Sequence, residues 1–131
     1  MENYKIQKAH CGLRTLVVKR PKNPTMVKIN LELGIGSDLE TGKLLELGHF
    51  LEHLFVSLTS TKYPNSLKNR EVFSTNNIKY TASVGNKNTS YEFSFEKTLI
   101  PIFLDMLVNA IFDFKVDKEI FNKEKNSIIE E

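Results

Sequence analysis

The five residues at 49–53 constrain this 131-residue chain more than any others. They read H-F-L-E-H, so that His49 and His53 stand four positions apart and Glu52 comes three positions after the first histidine. On an α-helix, positions i, i+3 and i+4 share one face. The spacing therefore predicts a helix that directs two imidazoles toward one point, with a carboxylate beside them.

Two imidazoles that converge on one point suit a zinc ion. We expect His49 and His53 to be metal ligands, and Glu52 to act as a catalytic base that accepts a proton from a water at the metal. The order H-x-x-E-H reverses the H-E-x-x-H pattern of many zinc peptidases and marks a class of its own. Such a short pattern also occurs by chance, and histidines on amphipathic helices are often surface groups or satisfied core groups.

Apolar residues are unusually dense around the motif. Residues 44–57 are predicted to form one helix, and a helix that is apolar nearly all round is expected to be buried. Polar groups in a buried helix need partners. A metal ion would satisfy His49, Glu52 and His53 at once. The apolar positions are Leu44, Leu45, Leu47, Phe50, Leu51, Leu54, Phe55 and Val56.

The composition is that of one modest globular domain spanning residues 1–131, with 40% hydrophobic and 26% charged residues. The net charge is +2 with both signs interspersed, so no nucleic-acid partner is expected. Cys11 is the single cysteine, which excludes an intrachain disulfide. The longest apolar stretch, at 99–114, is interrupted by Asp105 and Asp113, and no signal peptide stands out. We therefore expect a cytoplasmic protein with no membrane span or membrane partner.

Periodic patterns give an order of elements along the chain. Two alternating segments near the N-terminus are predicted to form an antiparallel hairpin, and two later ones are joined by a G-N-K-N turn. Asp117 is expected to be the N-cap of a last helix. The order predicts an α+β fold, an antiparallel sheet packed against helices. The predicted strands are 12–20, 25–34, 78–84 and 89–95, and the predicted helices are 44–57, 66–73, 98–111 and 117–131.

A third metal ligand is still needed, because a catalytic zinc normally takes three protein ligands and keeps one position for water. His10 stands before the first predicted strand without a companion, so it is a weak candidate. Glu124 and Glu131 are seven residues apart and share one face of the last helix, whereas Glu130 points about 100° away from Glu131. Such glutamates also form ordinary solvated faces, so spacing alone leaves the third ligand open.

Further motifs stand in the order in which one known family carries them. The chain resembles the insulysin/pitrilysin family of zinc peptidases, the inverzincins, which also include mitochondrial processing peptidase. The resemblance covers nearly the whole chain. The matching motifs are G-L at 12–13, G-S at 36–37, G-H-F-L-E-H at 48–53, T-K-Y-P at 61–64, T-S-Y at 89–91, I-F-D at 111–113 and E-K-N-S-I-I-E-E at 124–131.

The resemblance implies the N-terminal part of that family's catalytic half. It places the third zinc ligand at Glu131, with Glu130 as the alternative, and it places a supporting carboxylate of the catalytic site at Glu124. It also implies one Zn²⁺ per chain, metalloendopeptidase activity, and a peptide or small-protein substrate. In the family a strand with the pattern N-A-x-T borders the substrate, and it falls here at Thr81, Ala82, Ser83 and Val84. We expect substrate to add beside this strand.

Departures from the family pattern bear on substrate binding more than on metal binding. The asparagine and threonine of N-A-x-T are absent, and Leu58 and Ala110 replace a glycine and a proline of the family. The rest of the catalytic half, and the second half that closes the family's chamber, have no counterpart in these residues. An alternative therefore stays open: a truncated, catalytically silent relative that acts as a metal-containing binding or scaffold module. A second polypeptide could supply the missing half.

Overall fold

The computed structural model describes residues 4–19, 22, 25–42 and 45–130. Within these ranges, strands and helices follow one another in the order β-β-β-α-α-β-β-α-α. The strands are β1 (Tyr4–Lys8), β2 (Arg14–Val18), β3 (Met26–Leu33), β4 (Lys79–Val84) and β5 (Thr89–Glu96). The helices are α1 (Leu47–Phe55), α2 (Ser66–Thr75), α3 (Ile100–Phe112) and α4 (Lys118–Glu130).

The main sheet has three antiparallel strands in the order β3-β5-β4. The central strand β5 pairs with both neighbours, for example Phe93 with Ile29 on one side and with Tyr80 on the other. Its side chains alternate in burial, as expected for a strand with one face on a core. Strand β4 lies at one edge of this sheet and contacts the motif helix α1.

An aromatic core fills the space between this sheet and the helices. Phe93 and Phe95 of β5 are buried together with Phe73 of α2 and Phe103 of α3. The ring of Phe103 lies 4.9 Å from that of Phe93 and 4.3 Å from that of Phe95, measured between centroids. These contacts fix α2 and α3 on the sheet, because large aromatic side chains dominate the free energy of packing in small cores.

Asp117 joins the beginnings of two helices, and the predicted N-cap of the last helix is confirmed. Its Oδ1 accepts a hydrogen bond from the backbone N–H of Glu119 at 2.9 Å in the first turn of α4. Its Oδ2 accepts from the backbone N–H and the hydroxyl of Ser66, at 3.2 Å and 3.0 Å, where α2 begins. One carboxylate therefore holds α2 and α4 together at their N-termini.

The predicted hairpin between segments 12–20 and 25–34 is wrong. Strand β2 pairs with β1, which the sequence analysis missed, and β3 pairs with β5 more than fifty residues away. The alternation of β3 predicted a strand correctly, but pairing with β5 places its apolar residues Val27 and Ile29 beside Phe95 and Phe93 at the core, whereas every residue of β2 is exposed. The two-stranded sheet of β1 and β2 stays apart, and all of its residues are exposed.

The motif helix is shorter and less buried than its apolar sequence predicted. It begins at Leu47, whereas Leu44 lies outside the described residues. Leu54 is buried at 2% exposure, but Leu47 and Leu51 are 39% and 41% exposed. One face of α1 packs against β4 and α4, where the rings of Phe50 and Phe121 meet at 5.0 Å. Leu47 and Leu51 remain exposed beside the packed residues, so the apolar density of the segment did not indicate burial all round the helix.

The predicted fold class is nevertheless confirmed, because helices pack on an antiparallel sheet. Strands β4 and β5 form the hairpin predicted for segments 78–84 and 89–95, with Val84 opposite Thr89. Helix α3 lies within one or two residues of its predicted range. Across the described ranges, no helix combines the length and the apolar character that crossing a bilayer requires.

Candidate metal site

Helix α1 begins in an unusual way that depends on Glu40. The carboxylate of Glu40 accepts hydrogen bonds from the backbone N–H groups of Glu46 at 2.9 Å and Gly48 at 2.5 Å. These are donors that a helix N-terminus leaves without partners inside the helix. A Cβ atom at Gly48 would lie 2.7 Å from Glu40 Oε1. The glycine of the G-H-F-L-E-H motif therefore makes room for the carboxylate that caps the motif helix.

The two motif histidines meet at their Nε2 atoms. His49 Nε2 and His53 Nε2 lie 3.1 Å apart, with the rings nearly perpendicular. Two nitrogen ligands of one tetrahedral zinc, each about 2.0–2.1 Å from the metal, are separated by about 3.3 Å. One donor atom from each of His49, Glu52 and His53 lies within 4.8 Å of the others. The donor types and their spacing therefore fit a zinc ion.

Glu124 holds the ring of His53 through Nδ1, the ring nitrogen that does not face His49. Its Oε2 lies 2.9 Å from His53 Nδ1, and the residue is only 7% exposed. A carboxylate can only accept, so His53 Nδ1 donates, and in a neutral imidazole Nε2 then keeps a lone pair. This hydrogen bond is the arrangement that typically orients a metal-binding histidine. It joins residues 71 positions apart, which the packing of α4 on α1 brings together.

Arg70 of α2 extends this contact by one more residue. Its Nη2 lies 3.3 Å from Glu124 Oε1, and its side chain is 28% exposed. Its Nε is buried without a hydrogen-bond partner among the described residues. Arg70 could not be found from the sequence, because it lies far from the motif and no local pattern links it to Glu124.

A second carboxylate approaches the other histidine. Glu46 Oε2 lies 3.4 Å from His49 Nδ1, and the Glu46 side chain is 70% exposed. A contact with such an exposed side chain contributes little to stability. Glu46 and Glu40 were also missed, because both lie in or next to a loop whose backbone course the sequence did not predict.

The motif opens onto a cleft of about 410 Å³. Ser83 and Val84 of the edge strand β4 line this cleft, as His49 and Glu52 do. The other two residues expected at the substrate, Thr81 and Ala82, are on the same strand but do not line it. The remaining lining residues are Ser37, Glu40 and Glu46.

Tyr91 of β5 lies close enough to Glu52 for the charge of that carboxylate to act on it. Burial raises the pKa of the Tyr91 hydroxyl strongly, and the negative charge of Glu52 raises this pKa further. Tyr91 is 2% exposed, and its ring packs against Phe55 at 4.8 Å. The hydroxyl therefore stays protonated at physiological pH, so it adds no second negative charge beside the motif.

The structure describes some, but not all, of the candidates for a third ligand. Glu131 lies outside the described residues. Glu130 is the last residue of α4 and is exposed, whereas Glu124 and Ile120 are buried on the face of α4 that meets α1. His10 is exposed in the turn after β1 and is not part of the histidine–glutamate cluster.

Within the described residues, an antiparallel sheet thus supports a helix that carries two convergent histidines and a glutamate. The sequence profile of the insulinase family, peptidase family M16, matches residues 15–131. The chain therefore belongs to this family, and the resemblance found in the sequence is confirmed.

One curated relative and two solved structures are all much longer than this chain. The uncharacterized zinc protease YmxG of Bacillus subtilis (strain 168) is 32% identical over 111 residues, which are 83% of this chain and 27% of the relative. A protease from Helicobacter pylori superposes with a TM-score of 0.84 at 17% identity, covering 97% of this chain and 30% of that protein. Pitrilysin superposes with a TM-score of 0.82 at 26% identity, covering 95% and 13%. The chain thus spans less than a third of each of these three proteins.

Proposed function

We propose that this chain is a zinc-dependent metallopeptidase domain, with one Zn²⁺ held by His49, His53 and Glu131. The observation that carries the proposal is the pair of Nε2 atoms 3.1 Å apart, with Glu52 on the same helix face and open to the cleft. Glu130 is the alternative third ligand. Residues 1–131 are proposed to fold as a single unit.

Glu52 is proposed to carry the proton transfers of peptide hydrolysis. When bound, zinc supplies Lewis-acid polarisation of the scissile carbonyl and makes water a stronger nucleophile. Glu52 takes a proton from the attacking water and later passes it to the leaving amine. Glu124 holds His53 in place through the hydrogen bond to Nδ1.

The substrate is proposed to be a peptide that adds to the edge of the sheet along β4. Among the described residues this strand has a neighbour only on its β5 side, and it runs beside the cleft. An extended peptide gains backbone hydrogen bonds at such an edge, and side-chain pockets then give specificity. The contacting residues would be Thr81, Ala82, Ser83 and Val84.

A second candidate function is a binding or scaffold module that keeps the metal but does not hydrolyse peptides. One observation favours it: Leu47 and Leu51 on α1 are exposed. In this function the two side chains are covered by a second polypeptide. Exposed apolar surface of this kind is typical of such contacts.

The first experiment measures the zinc content of the purified protein. We expect about one zinc per chain in the wild type, and a loss of zinc in His49→Ala and His53→Ala. His10→Ala is the matched control, because it removes an exposed imidazole outside the cluster and should keep full occupancy. If a motif variant keeps full occupancy, the assigned site is wrong.

The second experiment separates the two candidate functions. The zinc-loaded protein is incubated with a library of unstructured peptides, and cleavage is read by mass spectrometry. Cleavage that disappears in Glu52→Gln, while zinc is retained, supports the peptidase. Zinc without cleavage supports the module. Loss of zinc in Glu52→Gln would make Glu52 a ligand and overturn its role as base.

A further inference from the structure

A continuous line of contacts leads from α2 to the metal site. Arg70 Nη2 contacts one oxygen of Glu124, and the other oxygen contacts His53 Nδ1. His53 in turn meets His49 at Nε2. Glu124 thus lies between a cation and a histidine, with each carboxylate oxygen facing one of them.

The burial of Glu124 makes its cation important. A carboxylate that is 7% exposed has lost most of its hydration, and it needs compensating charge and hydrogen bonds. His53 supplies one hydrogen bond, and the Arg70 guanidinium supplies a positive charge and a second contact. An arginine is suited to this task because its donors are fixed in a planar fork.

Arg70 lies on a helix that is itself anchored to its neighbours. The Nε of Arg70 is buried without a partner among the described residues, so the guanidinium forgoes the hydrogen bond that Nε could donate. The preceding residue, Asn69, anchors α2 by donating to the backbone oxygens of Ser57 at 2.9 Å and Tyr63 at 3.1 Å. Asp117 holds the start of the same helix. Arg70 is therefore presented to Glu124 from a rigid support.

We propose that Arg70 is a positioning residue that holds the Glu124 carboxylate in the orientation in which it accepts from His53 Nδ1. That hydrogen bond keeps the proton of His53 on Nδ1 and leaves the Nε2 lone pair directed at the metal position. The effect on zinc rests on the proposed function, whereas the effect on the His53 tautomer does not.

The sign of the zinc effect distinguishes this role from simple electrostatics. A positive charge near a cation site weakens metal binding, so removing it would tighten zinc binding if charge alone mattered. Loss of a contact that positions the Glu124 carboxylate would instead weaken zinc binding. We expect Arg70→Met to weaken zinc affinity by about 10- to 100-fold, the range found when a residue that supports a metal ligand is lost.

The test compares Arg70→Met, Arg70→Lys and the matched control Lys68→Met. Lys68 is exposed on the same helix, and its replacement removes the same charge without touching Glu124. Zinc affinity is measured by competition with a chelator, and thermal melting checks that each variant is folded. We expect Lys68→Met to equal the wild type and Arg70→Lys to recover part of the lost affinity.

A second measurement reads the tautomer of His53 in the metal-free protein from a long-range ¹H–¹⁵N spectrum. We expect the Nδ1–H form in the wild type and in Lys68→Met, and a mixture of tautomers in Arg70→Met. If Arg70→Met does not fold, Arg70→Lys is expected to show a smaller shift in the same direction. Wild-type zinc affinity in Arg70→Met, tighter affinity, or an unchanged tautomer would overturn the proposal. If the wild type binds no zinc, the proposed function fails. The tautomer measurement on the metal-free protein then tests the role of Arg70 by itself.

Discussion

At the scale of single residues, Glu46 has a backbone conformation that its side chain does not favour. Its φ is 68° and its ψ is 5°, which is the left-handed region. Glycine adopts this region readily, whereas other residues do so at a cost of about 1 kcal/mol or more. The chain nevertheless has a glutamate here, and its carboxylate lies near His49.

We expect Glu46→Gly to stabilise the fold. The gain in the free energy of unfolding should be up to about 1 kcal/mol, because relief of the left-handed strain exceeds the entropy that a glycine adds to the unfolded chain. The backbone N–H that donates to Glu40 is retained. Urea unfolding provides the measurement, with the neighbouring exposed residue changed in Leu45→Gly as the control. If Glu46→Gly is less stable than the wild type, the Glu46 side chain adds more to the free energy of unfolding than the left-handed backbone removes.

The choice between Glu131 and Glu130 also belongs to this scale. A step of seven residues returns to within about 20° of the same helix face, so a helix continued to Glu131 would place it on the face of Glu124. We expect Glu131→Gln to weaken zinc affinity by about 10- to 100-fold or more. Glu130→Gln should be nearly silent, because Glu130 is exposed on another side.

Chelator competition on both variants decides the third ligand. A loss confined to Glu130→Gln would reverse the assignment and make Glu130 the ligand. If neither variant changes the affinity, the site holds two histidines only, and the module becomes the better of the two proposed functions.

At the scale of elements, Asp117 couples the beginnings of α2 and α4, and this coupling depends on pH. Desolvation pushes the pKa of Asp117 up, but hydrogen bonds from Ser66 and Glu119 outweigh it, so the net pKa is lowered. A carboxyl whose pKa is lower in the folded than in the unfolded state stabilises the fold above the unfolded value. That stability is lost as pH falls through the lower, folded value.

We expect Asp117→Ala to lower the free energy of unfolding by about 1–2 kcal/mol at pH 7, the usual effect of losing an N-cap. The difference from the wild type should shrink as the pH falls below the unfolded value of about 3.9. Urea unfolding at pH 7 and pH 3 measures it. Asn65→Ala is the control, because Asn65 caps α2 through Lys68 N–H at 2.9 Å and does not titrate. Equal pH dependence in both variants would contradict the prediction.

At the scale of the whole molecule, the structure divides into a packed sheet and an exposed hairpin. Strand β5 is buried on one face, while every residue of β1 and β2 is exposed, including Ile6, Leu16 and Val18. An isolated two-stranded sheet is marginally stable in water. Local opening of the hairpin should therefore need much less free energy than global unfolding.

We expect the amide protons of β1 and β2 to exchange with solvent orders of magnitude faster than those of β5. Hydrogen exchange followed by NMR measures both in one sample. Equal protection would show that the hairpin packs on another surface, for example that of a second copy. If a second polypeptide covers these apolar residues, its addition should slow exchange in the hairpin.

Much of the fold and part of the site could be predicted from sequence. The strands at β3, β4 and β5, the Asp117 cap and the convergence of His49 with His53 all follow from periods and capping rules that act over a few residues. The burial of α1 was overestimated, because apolar density does not reveal which face meets a neighbour. Glu124 was placed near the site only through the family resemblance.

The sequence by itself determined the motif helix and its paired histidines, because a helix fixes the relative positions of residues three and four apart. Tertiary structure alone decided that β3 pairs with β5, that Glu124 reaches His53 across 71 positions, and that Arg70 stands behind Glu124. The physical reason is that these contacts join residues far apart in the chain. Their free energy depends on how whole elements pack, and no local pattern of residues records that packing.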